Sequence, residues 1–566
     1  MSTTFVSAVL LAAFLAGPGE SRDPSEEATA RAIFQSRAEP VPRGKIDELV
    51  FARLKELGIP PAKVCSDEVF VRRVYLDVIG TLPTAHEARE FLLDKDPNKR
   101  RALIDRLLER DEFADYWAMK WSDLLRVKAE FPINLWPNAA QAYHRWIHES
   151  IKNNLSYDRF VREMLTANGS NFRVGQVNFY RAVQSRTPQG IAQAVALTFM
   201  GTRAEKWPKD RLEQMAAFFS EISYKPTGEW KEEIVYFDPD KAAGRADGAA
   251  PQAVFPDGTP APLSPGEDPR RLFADWLIRP ENPWFARNIV NRVWSWLVGR
   301  GIIHEPDDIR PDNPPSNPQL LAFLEKELIR ANYDLKHVYR IILNSQTYQL
   351  SSIYSSEKPE AAANFAFYPM RRLEAEVLID ALNEITGTTE QYSSAIPEPF
   401  TFIPEGQRSI SLPDGSITSP FLEQFGRPPR DTGLESERSN RPTADQRLHL
   451  LNSSHILRKI ETGPKLQALF QSVAPGPAGR YGKAARFNKP GRFNRSSKFS
   501  RPAASSVAMQ PREVMNTLYL TVLSRFPTQE ELKTAAEYFQ SSSSKREAAV
   551  DLAWALINSA EFLYRH

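Results

Sequence analysis

Apolar residues in this chain recur at spacings of three and four, in stretches that proline and glycine repeatedly cut short. Phe70, Val71, Val74 and Val78 share one helical face, with Asp67 as candidate cap and Gly80 and Pro83 as stops. Thr84 opens the next helix with Glu87 three residues on, a capping-box pattern. Leu103, Ile104, Leu107 and Leu108 form another stripe, and Phe113, Trp117, Trp121 and Leu124 a third. Further helices are expected at 139–153, 156–167, 188–200, 208–221, 269–278, 284–298, 335–348 and 371–385. Asn317–Pro318 carries a cap residue and a first-turn proline, opening another. With 44 prolines, the helices should be short and hard-stopped. Residues 233–237 (EIVYF) read as a short strand. The expected fold is mainly α: a multi-domain helical protein with minor short strands and a disordered basic segment.

The 566 residues exceed one ordinary core. The expected organisation is a signal peptide at 1–21, a linker at 22–44, a helical domain at 45–240, and an Ala/Gly/Pro-rich linker at 241–267. A second helical domain follows at 268–473, then a disordered segment at 474–508 and a three-helix unit at 509–566. The nearly unbroken apolar run of twelve residues at 5–16, interrupted only by Ser7, is too short to span a bilayer and fits the core of an export signal, although no Lys or Arg precedes it. Export is therefore expected, to the periplasm, the envelope or the medium, with no spanning segment in the mature chain.

Tyr75, Leu76, Pro83, Thr84 and Glu87 match Tyr519, Leu520, Pro527, Thr528 and Glu531 at one offset of 444. Lys99–Arg100 and Glu112–Phe113 then match Lys545–Arg546 and Glu561–Phe562 with small gaps. One helical unit at both ends of the chain is the reading; two copies are too few for a solenoid.

The strings DEVFVRRVYLDVIGTLPTAHEAREFL, LIDRLLERDEFADYWAMKWSDLLR and YDRFVREML resemble the planctomycete cytochrome-C-like domain, domain of unknown function 1549. NPWFARNIVNRVWSWLVGRGII, PDDIRPDNPPSNPQLLAFLEKEL, RRLEAEVLIDAL and NSAEFL resemble its usual companion, domain of unknown function 1553. The resemblance runs from about residue 45 to 566. It implies a Cys-x-x-Cys-His stretch after a helix ending in Phe-hydrophobic-Gly, and a Cys-Glu-Cys string in the second half. Here the helix ends at Gly201 and TRAEKWPKDRLEQMAAFF follows, without Cys or His. The second place reads Leu434-Glu435-Ser436-Glu437-Arg438. Cys65 is the sole cysteine, so neither a disulfide within the chain nor two-thioether haem attachment can form. No cofactor is expected.

Other candidates each have a plain structural reading. His144 and His148, one turn apart with Glu149 adjacent, could hold a metal but lack a third ligand; an aromatic helix face beside Tyr143 and Trp146 is the simpler account. Cys65 precedes a helix start, where a dipole could activate it, or is a small buried side chain. Asp307, Asp308, Asp312 and Asn313 could take calcium, or form a rigid turn. Arg287, Asn288, Asn291 and Arg292 could grip a carboxylate or sugar, or satisfy loop carbonyls. Arg427, Arg430, Asp431, Glu435, Glu437 and Arg438 offer paired carboxylates for hydrolysis, against a self-neutralising ion network. Ser454–His455 is a dipeptide without triad geometry.

Residues 480–501 carry eight cations facing no acid, interleaved with phenylalanines. Arg486, Phe487, Lys489, Arg492, Phe493, Arg495, Lys498 and Phe499 are the candidate ligand-binding set, by charge neutralisation and stacking; a solvated linker is the plain alternative. The partner would be an anionic polymer. A net charge of +2 gives no overall field for nucleic acid, and no specific nucleic-acid recognition is expected. The leading functional expectation is an exported, non-catalytic helical scaffold or binding protein of the envelope or extracellular polymers. A carboxylate-based polysaccharide hydrolase is the first alternative. Electron transfer, which the family name suggests, is disfavoured by the absent thiols.

Overall fold

A computed structural model describes residues 32–243, 253–264, 266–354, 358–472 and 509–566. The signal peptide expected at 1–21 and the basic segment with Arg486, Phe487, Lys489, Arg492, Phe493, Arg495, Lys498 and Phe499 lie outside them.

The fold is mainly α. The first half contains α1 (Lys45–Glu56), α2 (Asp67–Val78), α3 (Ala85–Leu93), α4 (Lys99–Leu108), α5 (Asp111–Leu124), α6 (Pro137–Lys152), α7 (Tyr157–Thr166), α8 (Pro188–Val195) and α9 (Lys209–Ala216). Helix α2 is capped by Ser66, whose hydroxyl accepts from the Val69 amide at 3.2 Å, rather than by Asp67. Asp67 instead pairs with Lys99 and Arg100 at 2.7 and 2.8 Å. Thr84 and Glu87 close the expected capping box on α3. Helix α8 runs into a π turn at Ala196–Met200 and ends on Gly201, at φ 63°. A Cβ there would also lie 2.5 Å from Asn288 Oδ1, so glycine is needed for both conformation and space.

The strand expected at 233–237 is the centre of a three-stranded antiparallel sheet: β3 (Glu233–Phe237) lies between β1 (Gly169–Ser170) and β2 (Ile222–Pro226), with Ile222 opposite Phe237. The described part of the expected linker is packed down. Phe255 is buried, stacks on Trp276 at 5.1 Å and lies 5.0 Å from Phe218.

The second half begins with α10 (Pro269–Leu277), α11 (Phe285–Val298), α12 (Pro318–Arg330), α13 (Leu335–Leu343) and α14 (Ala375–Thr386). Asn317 caps α12 through the Leu320 amide at 3.0 Å. Helix α13 stops short of the expected 348 because Asp47, from α1, takes the Gln346 and Thr347 amides out of the helical ladder at 3.0 and 2.9 Å. Then come α15 (Ala444–Asn452), α16 (Ser454–Thr462), α17 (Pro464–Gln471), α18 (Pro511–Leu523), α19 (Gln529–Ser541) and α20 (Lys545–Ile557). A short helix at Ala560–Leu563 follows, and Tyr564–Arg565 pairs as a strand with Arg371–Arg372.

The duplicated motif has a structural counterpart. Thr528 and Glu531 form the same capping box on α19 that Thr84 and Glu87 form on α3. In the first copy Arg110 bridges Glu87 and Glu112 at 2.7 and 2.5 Å. In the second Arg525 bridges Glu531 and Glu561 at 2.8 and 2.6 Å. The copies touch: Arg89 reaches Glu513 at 3.0 Å, and Arg72 donates to the carbonyls of Val522 and Phe562 at 2.8 and 2.7 Å. The chain's last residues thus lie against α2, and one apolar core runs from Ile46 to Phe562.

Candidate functional site

A seam of buried charge runs along the contact between the two halves. Helix α5 brings in Lys120 and Asp123, α11 brings in Arg292 and Trp296, and the start of α14 brings in Glu374 and Glu376. The loop at 425–440 closes over them. It can do so because Gly433, at φ 74°, lies where a Cβ would come within 2.5 Å of Arg126 and 2.7 Å of the Leu124 carbonyl.

Arg438 is the hub. Its guanidinium meets Asp123 and Glu376, each at 2.7 Å. Arg430 takes the other Asp123 oxygen at 2.9 Å, and Arg427 lies 3.5 Å from Glu376. Burial alone would lift the Glu376 carboxyl, but Arg438 and Arg427 outweigh it and hold it at about 2. Glu374 is likewise driven well below the usual carboxylate range, burial being overcome by Arg565, Lys120 and Arg438. Lys120 meets Glu374 at 2.8 Å, and Arg565 pairs with Glu374 and, at 3.2 Å, with Asp77. Asp77 also accepts from the Tyr348 and Tyr368 hydroxyls at 2.9 and 2.8 Å.

Glu435 differs. Its carboxylate accepts from Trp296 Nε1 at 3.0 Å, and Arg292 stands 3.8 Å away. Burial lifts its carboxyl above the ordinary range, with Lys120 and Arg292 only partly opposing. Its own amide donates to Asp307 at 2.6 Å, and Asp307 is paired with Arg292 at 2.5 Å. Lys120, Asp123, Trp296, Pro428, Glu435 and Arg438 border a cavity of about 10 Å3, room for about one water.

The sequence candidates sort cleanly. The α11 stripe serves loop backbone: Asn288 donates to the Thr198 carbonyl at 2.9 Å, Asn291 exchanges two hydrogen bonds with Ile303, and Arg292 donates to the Leu197 carbonyl at 3.0 Å. Arg287 pairs with Glu325 at 2.8 Å. The 427–438 charges pair with groups outside their own loop rather than with one another, Arg427 and Arg438 on Glu376, Arg430 on Asp123 and Asp431 on Lys128 at 2.6 Å, while Glu437 accepts the Asp431 and Thr432 amides. Asp307 is spent on Arg292, Asp308 and Asp312 each meet Arg310 at 3.1 Å, and Asn313 donates to the His304 and Asp308 carbonyls. His144 is buried and held neutral, at about 3, by desolvation with Arg430 and His148 adding to it. His148 pairs with Asp115 at 3.0 Å, leaving Glu149 outside that contact. Among the described residues no group of three His, Cys, Asp or Glu side chains is placed to hold a metal ion. Cys65 is buried, with Arg100 Nη1 3.8 Å from its sulfur. His455 pairs with Glu390 at 3.0 Å, so Ser454–His455 makes no nucleophile pair.

Sequence reasoning missed Asp123, Glu374, Glu376, Lys120 and Arg565. Each sits inside a helix, at a helix cap as Glu374 does, or at a chain end, and a charged residue at a core-facing position, such as Lys120 between Trp117 and Trp121, was the available signal. The two places where the resemblance calls for thiols lie near each other. The Gly201 carbonyl accepts from the Ile309 amide at 2.8 Å, two residues beyond the Asp307 that binds Glu435. Residues 202–222 supply no thiol or imidazole and Cys65 is enclosed at the start of α2, so covalently attached haem does not fit this chain.

Among the described residues no helix is long and apolar enough to cross a membrane. A family model described as a protein of unknown function, DUF1549, matches residues 45–222, and another so described, DUF1553, matches residues 269–539. Comparison with curated proteins and with solved structures gives no match.

Proposed function

We infer that this chain, which belongs to the two-domain family in which DUF1549 precedes DUF1553, is an exported, non-catalytic helical scaffold that binds an anionic polymer. The observation that carries the non-catalytic part is the ion pairing of Glu374 and Glu376 in the buried seam. Glu374 and Glu376 are each held ionised by two or more cations, and the adjoining cavity accepts about one water, too little for a sugar ring. Carboxylates held this low stay ionised near neutral pH and cannot supply the proton that a general acid gives the leaving group. The nearly unbroken apolar run at 5–16 supports export. The cations and phenylalanines of 480–501 support polymer binding, since each cation neutralising a fixed anion releases a counterion.

The test is retention on immobilised heparin in rising salt. Changing Arg486, Lys489, Arg492, Arg495 and Lys498 together to glutamine should lower the eluting salt and flatten the salt dependence. Unchanged elution overturns the assignment of binding to this segment.

One observation favours the alternative of a carboxylate hydrolase: Glu435 has a raised pKa and borders the water-sized cavity, as a general acid would. Loss of polysaccharide hydrolysis in Glu435→Gln, with folding intact, would establish it.

A further inference from the structure

Three loops outside the buried seam carry large aromatic side chains that are exposed to solvent. Phe131 is 84% exposed, Trp230 69%, Phe402 65% and Phe400 45%. The Trp136 ring lies 5.2 Å from Phe400, and the Lys231 ammonium sits 5.8 Å from the centre of Trp136 and 5.3 Å from that of Trp230. One cation is therefore shared by two indoles. Lys231 forms no ion pair among the described residues, while the neighbouring Glu229 and Glu232 face Arg173 at 4.0 and 3.5 Å.

The loops are held. The Leu135 and Trp136 amides donate to the Lys128 and Ala129 carbonyls, each at 3.2 Å. The Ala395 amide donates to Glu130 at 3.1 Å, tying 395–402 to the same loop, and the Thr227 amide closes the β2–β3 hairpin on the Glu232 carbonyl at 3.1 Å. The backbone is also strained here. Trp136 adopts φ 73° and ψ 147°, a region that glycine alone occupies readily, and Asn134 and Lys231 have φ of 62° and 65°. A tryptophan kept where glycine would be cheaper, with its ring only partly buried, is not explained by core packing.

We propose that Trp136, Trp230, Lys231 and Phe400 form a platform for a glycan bearing carboxylate or sulfate groups, with Phe131 and Phe402 exposed on two of the same loops. A pyranose presents a C–H face that stacks on an indole, and its acidic substituent meets the lone ammonium shared by the rings. A stable protein partner would need about 800 Å2 of matched surface, whereas these rings are fanned over three loop tips. The platform deepens the polymer-binding reading, resting on its acidic class of ligand but not on residues 480–501.

The test titrates the full chain with heparin, polygalacturonate and neutral dextran oligosaccharides. Heparin or polygalacturonate should bind and dextran should not; binding of polygalacturonate, which carries carboxylates alone, shows that carboxylate suffices, whereas binding of heparin without polygalacturonate assigns recognition to sulfate. Trp230→Ala and Lys231→Gln should each weaken binding about tenfold. Trp136→Gly should do the same without lowering the thermal midpoint, because glycine tolerates that backbone. These losses should persist when the five cations of 480–501 are changed to glutamine. If Trp230→Ala and Lys231→Gln bind like the parent chain, the platform is overturned even where the glutamine chain has lost heparin affinity. Equal affinity for dextran, or self-association that Trp230→Ala abolishes without any glycan binding, would also overturn it.

Discussion

Replacing Arg565 with leucine tests whether the end of the chain locks the two halves together. The guanidinium pairs with Glu374, lies 3.2 Å from Asp77, and donates to the Leu76 carbonyl at 3.2 Å and the Tyr116 hydroxyl at 3.1 Å. Removing one member of a buried pair generally costs about 3–5 kcal/mol, because the partner charge is left uncompensated. Here Glu374 keeps Lys120, and Asp77 keeps two tyrosine hydroxyls, so the loss should lie near the lower end, about 3 kcal/mol. Urea unfolding of the full chain, combined with Glu374→Gln and the double variant, measures both the loss and the coupling. The two changes should be non-additive by more than about 0.5 kcal/mol, whereas Lys465→Leu, in an exposed pair, should leave the midpoint in place. Acid titration adds a sign. Glu374 is depressed in the folded state, so its stabilisation is complete above its unfolded value of 4.5 and is lost as pH falls through the folded value. Arg565→Leu should shrink that acid-side loss. A cost under about 1 kcal/mol, or additivity in the cycle, refutes the lock.

Asp380 should act with the opposite sign. Burial raises its carboxyl to about 6, against Arg408 and the Ser409 and Ile410 amides, so its contribution is full below 3.8 and is lost as pH rises through 6. Asp380→Asn should therefore flatten the fall in stability between pH 4 and 7 by up to about 3 kcal/mol, read as the difference between the two proteins' unfolding curves. An identical slope refutes it. Thr528→Ala should cost about 1 kcal/mol by breaking the α19 capping box, and Thr84→Ala a similar amount on α3, measured by thermal unfolding. Loss at only one site would separate the two copies energetically. A pyridine haemochrome assay on purified protein should give no covalent haem signal; a positive signal overturns the account of Cys65.

Local signals in the sequence carried far. The Thr84–Glu87 box, the Asn317 cap and the β3 strand are each determined within a few residues, and each is found where its pattern stands. The ends of helices competed over by distant groups were not legible, as with Asp47 ending α13 from about 300 positions away. The same distance hid the seam. Arg438 reads as part of a mixed-charge loop, but its partners lie 315 and 62 residues away, and no local pattern encodes such a pairing. Lys120 reads as one charge among tryptophans until Glu374 is seen opposite it. The strained Trp136 gave no sign either, because a tryptophan before a proline is unremarkable as text and unusual only through its φ.

The contrast among the seam's glutamates decides where chemistry could reside. Two of them, Glu374 and Glu376, are each tied to two cations and driven low, so substituting either removes a structural charge before it removes any reactivity. Glu437 is raised by burial but accepts two backbone amides of its own loop, which fixes it as a brace for the turn. Glu435 alone combines a raised carboxyl, a quarter-exposed side chain and a cavity wall. Glu435→Gln keeps an oxygen for Trp296 and removes a charge whose burial is poorly compensated, so it should fold at least as stably as the parent in thermal unfolding. A stable Glu435→Gln protein that still binds acidic glycans fits the scaffold reading. A stable one that loses a hydrolytic activity the parent displays would move this residue from packing to catalysis, and the non-catalytic reading would fall with it.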